Sequence, residues 1–293
     1  MSTGRIPDYA AAGPFAVASD EGEWHDGRHQ RRLRWRHYRP RGAAETARVL
    51  YSHGLGGSRD SGADWLAHWA SWGIGAIALQ HPGTDAEALA GRSPLAMRHL
   101  LRRAADPEEL ALRQHDLLFA LDRVATGADL PLGIAGHSFG AVSATRLIGE
   151  RRGRHDTPAD PRLKAAILFS PSARGGLLPL DERYRAVAVP NLHLTGSEDH
   201  GIGPGDIDAS ARSLPFAHIA AAHRGLLVLA GARHGDLAGN TRHPRLTPIL
   251  QAASTAFLRR HLTGDANAAA WLQQALPAML DGNDRLDMRA PGN

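Results

Sequence analysis

Apolar residues along the chain follow two alternating patterns. Short apolar or alternating runs predict strands, and longer stretches with apolar residues every three or four positions predict helices. The predicted strands are 32–37, 48–52, 74–80, 132–135, 165–170, 192–195 and 226–230. The predicted helices are 63–72, 107–126, 141–150 and 248–262. Because parallel neighbours need a crossover connection, this order predicts an α/β protein whose mostly parallel sheet is covered by helices and starts with antiparallel strands.

Three longer segments, 84–106, 172–187 and 201–225, interrupt the alternation. Each follows the carboxyl end of a predicted strand, where open α/β sheets place their ligand crevice. We expect them to form pocket walls or a small lid, although surface loops without a role remain the alternative. The length suits one domain over 1–293, with 1–27 as an N-terminal extension and 276–293 as a flexible tail.

Composition mainly excludes classes of site. The chain has no cysteine, which rules out disulfides, thiolate metal sites and a cysteine nucleophile. The sequence contains neither an apolar stretch long enough to span a bilayer nor a secretory signal at its start, which favours a cytoplasmic protein without a membrane span.

A net charge of +4 and a pI near 10 raise the possibility of nucleic-acid binding. However, Lys164 is the only lysine, and the arginines are spread along the chain except between 28 and 41. There, Arg32, Arg34 and Arg36 alternate with Leu, Trp and His, which is typical of a strand with one solvated face. A solvated strand is therefore the preferred interpretation, and no nucleic-acid partner is predicted.

The strongest chemical signal is Gly-His-Ser-Phe-Gly at 136–140, between a predicted strand and a predicted helix. A G-x-S-x-G sequence in this context is typical of a nucleophile elbow, the sharp turn that exposes a reactive serine. Gly136 and Gly140 would let the strand and helix approach closely, and Ser138 would be the nucleophile. A glycine-rich turn with a helix-capping serine is the alternative.

A serine hydroxyl needs an adjacent base that titrates near neutral pH. The base should follow the last strand, where His234 lies; His223, His243 and His261 lie outside that position. The orienting carboxylate should follow the preceding strand, which favours Asp199. The competing carboxylates, all close to it in sequence, are Glu198, Asp206 and Asp208.

Two backbone N–H groups are expected to stabilise an oxyanion. One belongs to Phe139, directly after the nucleophile, and the other to Leu55 in the glycine-rich loop at 52–58. His81 and His137 are further candidates for contact with a substrate, although turn formation also explains the His-Pro-Gly sequence at 81–83.

Other conspicuous residues indicate structure more than chemistry. Trp65, Trp69 and Trp72 recur at helical spacing, which favours a stripe facing the core over a binding platform. The seventeen histidines form no H-E-x-x-H or similar cluster. We therefore predict no metal and no cofactor.

Five short sequences together resemble a known group of enzymes. They are Ser-His-Gly-Leu-Gly-Gly-Ser at 52–58, His-Pro-Gly at 81–83, Gly-His-Ser-Phe-Gly at 136–140, Thr-Gly-Ser-Glu-Asp at 195–199 and Gly-Ala-Arg-His at 231–234. They look like those of predicted dienelactone-hydrolase-like serine hydrolases, which are similar to platelet-activating-factor acetylhydrolases, plant chlorophyllases and cutinase-like esterases. The resemblance covers about residues 30 to 275. It implies an α/β-hydrolase fold and a cofactor-free ester hydrolase with Ser138, Asp199 and His234 as its triad.

The predicted function is hydrolysis of a small-molecule carboxylic ester through an acyl-enzyme. An acyl-enzyme also reacts with other nucleophiles, so thioester hydrolysis or acyl transfer with the same triad remains an alternative. A non-catalytic binding protein of the same fold is the third interpretation, because a fold does not fix a function. True dienelactone hydrolases use a cysteine, which this chain lacks.

Overall fold

A computed structural model describes residues 6–89, 98, 100–103, 106–126, 129–201 and 208–290. The strands are β1 (Val17–Asp26), β2 (Arg31–Pro40), β3 (Ala47–Ser52), β4 (Ile74–Leu79), β5 (Leu132–His137), β6 (Leu163–Phe169), β7 (Asn191–Glu198), β8 (Arg224–Arg233) and β9 (Arg285–Arg289). The helices are α1 (Ala63–Ser71), α2 (Pro107–Ala125), α3 (Phe139–Leu147), α4 (Leu180–Tyr184), α5 (Leu214–His218), α6 (Leu246–Thr263) and α7 (Ala266–Ala278). Short 3₁₀ helices span Ala209–Ser213 and His234–Leu237.

The nine strands form one sheet in the order β1-β2-β4-β3-β5-β6-β7-β8-β9. The six strands from β4 to β8 in this order are parallel to one another, whereas the pairs β1–β2, β2–β4 and β8–β9 at the two ends of the sheet are antiparallel. The predicted α/β class, with a mostly parallel sheet, flanking helices and an antiparallel start, is confirmed. In such a sheet, ligands bind at the edge where the carboxyl ends of the parallel strands lie.

Both faces of the central sheet are buried, which explains the continuous apolar runs of its strands. In β3, Val49 and Tyr51 join the core on the face covered by α1, α6 and α7. Leu50 between them joins the core on the face covered by α2 and α3. The middle layer therefore has no solvated side, and helices on both faces fix the sheet in place.

The expectations for the two ends of the chain need correction. Within the predicted N-terminal extension 1–27, β1 pairs with β2 along its whole length. Within the predicted tail 276–293, β9 pairs with β8, and Leu286 and Met288 pack against the core. Both strands lie at sheet edges, where solvent reaches side chains and the apolar pattern that marks a strand is weak.

The tryptophan stripe on α1 faces the core, as predicted. Trp65 and Trp69 are fully buried, and their rings stack on Phe169 of β6 at 5.5 Å and 6.5 Å between centroids. The indole N–H of Trp69 donates to Ser254 Oγ over 2.9 Å. Trp72 is partly buried at the end of the stripe.

The alternating arginines of β2 lie on a solvated strand and face acidic partners. Arg34 and Arg36 form ion pairs with Glu23 and Glu21 of the neighbouring β1. No helix in the described ranges is long and apolar enough to cross a bilayer.

Buried histidines should make the fold acid-sensitive. Burial, and to a smaller degree neighbouring positive groups, lowers the pKa of His137 and of His193 to about 3. Both stay neutral in the folded chain, whereas unfolded histidine takes up a proton near pH 6.5. We therefore expect the free energy of unfolding to fall below pH 6.5, by up to about 1.4 kcal/mol per pH unit for each such histidine.

Urea unfolding at pH 7.5 and 5.5 measures this loss. His193→Phe keeps the ring volume and should lose less stability between the two pH values than the wild type does. His25→Asn, at an exposed position of β1, is the control and should behave like the wild type. Equal losses in His193→Phe and in the wild type would contradict the assignment.

Candidate active site

Ser138 occupies a strained turn between β5 and α3. Its backbone has φ 55° and ψ −116°, a conformation that costs a residue with a Cβ roughly 1–3 kcal/mol. The Ser138 hydroxyl makes no capping hydrogen bond to the helix. The strain instead lifts the side chain into a cavity that Ser138 helps to line.

Two glycines permit this turn because backbones meet there. A Cβ on Gly136 would lie 2.3 Å from the carbonyl oxygen of Gly140. A Cβ on Gly140 would lie 1.9 Å from the carbonyl oxygen of Ser52, at the end of β3. Any larger residue at either position would push the turn away from the strands, as the sequence predicts.

The structure brings Ser138, His234 and Asp199 into one hydrogen-bonded line. His234 Nε2 lies 3.0 Å from Ser138 Oγ, and His234 Nδ1 lies 2.7 Å from Asp199 Oδ1. With its hydrogen on Nδ1, the imidazole donates to the carboxylate and accepts from the hydroxyl. A proton can therefore pass from the serine to the histidine without movement of the backbone.

The competing residues lie elsewhere. Glu198 is exposed and pairs with Arg233, and Asp208 caps the 3₁₀ helix at Ala209–Ser213. Asp206 lies outside the described residues. Among the other histidines, His223 and His261 contact each other and His243 accepts from backbone N–H groups, so His234 is the one of these four beside Ser138.

Asp199 is fully buried and stays charged because its oxygens are satisfied. Its Oδ2 accepts a 2.7 Å hydrogen bond from Thr195 Oγ1, while Oδ1 faces His234. Burial alone would raise the pKa of Asp199, but the hydrogen bond with His234 and the charge of Arg212 outweigh it and lower that pKa. The carboxylate is thus available to orient the imidazole.

Arg212 is part of the site, although the sequence analysis did not identify it. Its Nε donates to the backbone oxygen of Asp199 over 3.1 Å, and its Nη2 lies 3.2 Å from His234 Nδ1. Its Nη1 donates to the oxygen of Ser170, at the end of β6. The buried guanidinium thereby ties the Asp199 loop to a third strand; no periodic pattern in its loop marks it.

The two expected oxyanion donors line the same cavity as Ser138. Phe139 is the first residue of α3, where a helix offers its N–H no acceptor. The N–H of Leu55 donates to no acceptor within the described part of the chain. A Cβ on the preceding Gly54 would lie 3.4 Å from Ser138 Cβ, so this loop passes directly beside Ser138.

His81 and His137 do not line the cavity, so the expectation that they contact substrate needs correction. His81 is fully buried between Ser52 Oγ, 3.0 Å away, and Asp116 Oδ2, 2.9 Å away. His137 packs beneath His234, with its ring 4.7 Å from the His234 ring and its Nε2 3.1 Å from the His234 backbone oxygen. Both histidines support the site from behind.

Arg113 connects the two sides of the site from beneath. This fully buried side chain donates to the carbonyl of His53 and to the hydroxyls of Ser52, Thr84 and Ser143. Its guanidinium also lies 4.7 Å from the ring centre of Phe139. Burial lowers the pKa of Arg113 to about 9.

The sequence does contain a pattern that indicates burial of Arg113. Leu110, Arg113, Leu117 and Leu121 share the helical spacing of an apolar stripe. A charged residue within such a stripe is almost never buried without partners, so it indicates a group of hydrogen bonds inside the core.

The cavity beside Ser138 has a volume of about 520 Å³. All three of the long segments contribute to its lining, through Leu101 in the first, Leu177 in the second and Arg212 in the third. Of the third segment, 202–207 lie outside the described residues. Within the described ranges, no three His, Asp or Glu side chains are grouped so that they could hold a metal ion.

Comparison of the sequence with protein-family models and with curated proteins found no match.

Replacing Arg113 should destabilise the protein strongly. Arg113→Met removes a donor from four buried oxygens, and such unsatisfied groups cost about 1–3 kcal/mol each, so we expect the total loss to exceed about 2 kcal/mol. Urea unfolding measures it. Arg123→Met, at an exposed position of the same helix, is the control and should cost less than about 1 kcal/mol. Equal losses in the two variants would show that the hydrogen bonds of Arg113 do not stabilise the fold.

Proposed function

We propose that this chain has an α/β-hydrolase fold and cleaves a carboxylic ester with Ser138 as its nucleophile. The observation that carries the proposal is the 3.0 Å contact of Ser138 Oγ with His234 Nε2, next to the 2.7 Å contact of His234 Nδ1 with Asp199. A buried carboxylate, an imidazole and a hydroxyl in this order form the arrangement that activates serine in unrelated hydrolases. The elbow strain and the adjacent cavity support the same conclusion.

In the first half of the reaction, Ser138 Oγ attacks the ester carbonyl carbon while His234 Nε2 takes the hydroxyl proton. The charge on the carbonyl oxygen is stabilised by the N–H groups of Leu55 and Phe139, for which the described residues offer no acceptor. Asp199 stabilises the imidazolium that forms. His234 then gives its proton to the alcohol oxygen, the carbon–oxygen bond of the ester breaks, and the acyl group stays on Ser138.

In the second half, water reverses the same steps. His234 removes a proton from the water as it attacks the acyl carbon, and then returns that proton to Ser138 Oγ as the acid leaves. Arg212 acts in both halves as a positioning residue, because it holds the backbone of Asp199 and leaves proton transfer to the imidazole.

Ser138→Ala should abolish turnover without unfolding the protein. The hydroxyl makes one side-chain contact, with His234, so its removal leaves the fold intact. We expect hydrolysis of p-nitrophenyl butyrate to fall at least about a thousandfold and labelling by a fluorophosphonate probe to disappear. Ser19→Ala, on the exposed edge strand, is the control and should keep both. Normal turnover in Ser138→Ala would refute the proposal.

Asp199→Asn tests the role of the carboxylate. Thr195 donates to Oδ2, so the amide of asparagine would accept there and direct its NH₂ group at His234 Nδ1. That contact forces the imidazole hydrogen onto Nε2, so Nε2 can no longer accept the proton of Ser138. We therefore expect kcat to fall by a factor of about 10⁴. Asp208→Asn is the matched control, because Asp208 caps a neighbouring turn without touching His234. Similar kcat values in the two variants would exclude Asp199 as the orienting group.

A further inference from the structure

The residues that line the cavity beside Ser138 are of two chemical kinds. The apolar ones include Leu55, Leu101, Leu110, Phe139, Val142 and Leu177. Five others are arginines: Arg146, Arg152, Arg154, Arg174 and Arg212. Asp106 is the only acidic residue among the described residues that line the cavity, and it caps α2 at the exposed rim. A simple alkyl ester would use the apolar residues and leave the arginines without a role.

Arg212 is accounted for by the triad, because its charge faces Asp199 over 3.4 Å. The charges of Arg146 and Arg152 are compensated only in part. The Glu150 carboxylate lies 3.0 Å from Arg152 Nε but also accepts a hydrogen bond from Arg183, so one anion serves two cations. All three of these side chains are buried, where such an imbalance is felt most strongly.

Asp156 is shared in the same way. It accepts from the backbone N–H groups of Arg152 and Gly153, over 2.7 Å and 2.8 Å, and lies 3.8 Å from Arg146 and 3.9 Å from Arg151. Its charge is therefore divided between backbone donors and two guanidiniums. Burial, opposed by Glu150 and Asp156 and reinforced by Arg152 and Arg183, lowers the pKa of Arg146.

Arg154 adds a cation whose side chain has no partner among the described residues. Its side chain is exposed at the cavity, and it forms no ion pair or hydrogen bond with any described residue. Its backbone oxygen accepts from Arg146 Nη2 over 3.4 Å, so the two arginines are neighbours. The Arg154 guanidinium lies beside Arg146 and Arg152, which are buried and only partly neutralised. Together the three positive charges make a strong site for a carboxylate or a phosphate.

The distance from Ser138 sets the size of the ligand. Arg146 lies eight residues after Ser138 along α3, which corresponds to about 12 Å at a rise of 1.5 Å per residue. The Arg146 guanidinium donates from Nε to Gln114 of α2 and from Nη2 to the backbone oxygen of His155, and it lines the cavity together with Ser138. Less the length of the polar contacts at its two ends, a span of this order suits an acyl chain of about three to five methylenes between the ester carbonyl and the anionic group.

We infer that the natural substrate is an ester with an apolar chain that ends in a carboxylate or phosphate, which Arg146, Arg152 and Arg154 bind while Ser138 attacks the ester. This inference rests on the proposed esterase function and adds the substrate class. Arg154 is the specificity-determining residue, because it alone of the three has no carboxylate partner in the part of the chain that the structure describes.

A matched pair of substrates tests the inference. p-Nitrophenyl hydrogen adipate and p-nitrophenyl methyl adipate share acyl chain and leaving group and differ only in the charge at the far end. We expect kcat/KM of the wild type to be at least about tenfold higher for the charged ester, since one charge-assisted hydrogen bond is worth that factor. The ratio should shrink as salt is added, because exposed charges are screened.

Variants locate the effect. Arg154→Gln should lower the ratio of charged to neutral kcat/KM about tenfold. Arg151→Gln removes the same charge three residues away, from an exposed side chain that does not line the cavity, and should keep the wild-type ratio. A ratio that falls equally in both variants would contradict a specific site and indicate a general charge effect.

Inhibition of p-nitrophenyl butyrate hydrolysis distinguishes the two anions. Hexanoate, hexyl phosphate and hexanamide have the same chain length and differ in the head group. Stronger inhibition by hexanoate identifies a carboxylate as the ligand, and stronger inhibition by hexyl phosphate identifies a phosphate.

Two failures are separable. If the wild type hydrolyses the charged and neutral adipates equally well and hexanamide inhibits as strongly as either anion, the anion site is wrong and the esterase proposal stands. If no ester is hydrolysed and the fluorophosphonate probe does not label Ser138, both proposals fail together.

Discussion

The contact between the Gly140 backbone and the carbonyl of Ser52 is the constraint on which the site depends. No side chain fits there, since a Cβ would lie 1.9 Å from that oxygen. The contact exists because β3 and β5 are parallel neighbours in which Ser52 is paired with Gly136, so both strands end at the same height. The loop that carries Leu55 and the turn that carries Ser138 are thereby forced together.

Arg113 makes this arrangement a rigid one. Burying a cation costs free energy unless its donors find acceptors. The hydrogen bonds of Arg113 reach the loop after β3, the loop after β4 and α3. Arg212 plays the matching part on the other side, where it joins the Asp199 loop to the end of β6. Preorganised donors need no reorganisation during a reaction, which is the usual source of rate acceleration by an oxyanion site.

The sequence was sufficient to predict those site residues whose position in space follows from their order along the chain. In a parallel sheet, every carboxyl strand end meets the same edge, so a residue's place after a strand indicates where it lies in space. Ser138, Asp199 and His234 follow β5, β7 and β8 in this way, and the apolar runs of these buried strands were easy to recognise. The edge strands β1 and β9 were missed because solvent on their exposed side chains removes that pattern.

The parts that were missed depend on contacts between distant segments. His81 ends a strand at the correct edge, yet its side chain turns under the loop toward Asp116 of α2, and no local pattern reports that choice. The same limit applies to the cavity walls, where arginines from α3 and from the following loop meet only after folding.

The last strand of the chain affects more than its own stability. β9 covers the first half of β8, and Asp284 just before it accepts from the backbone N–H of Ala230 and binds Arg245 at the start of α6. His234 follows directly after β8. A shortened chain would leave the hydrogen-bonding groups of β8 open to another molecule, because an unpaired edge strand offers its N–H and C=O groups to a new partner.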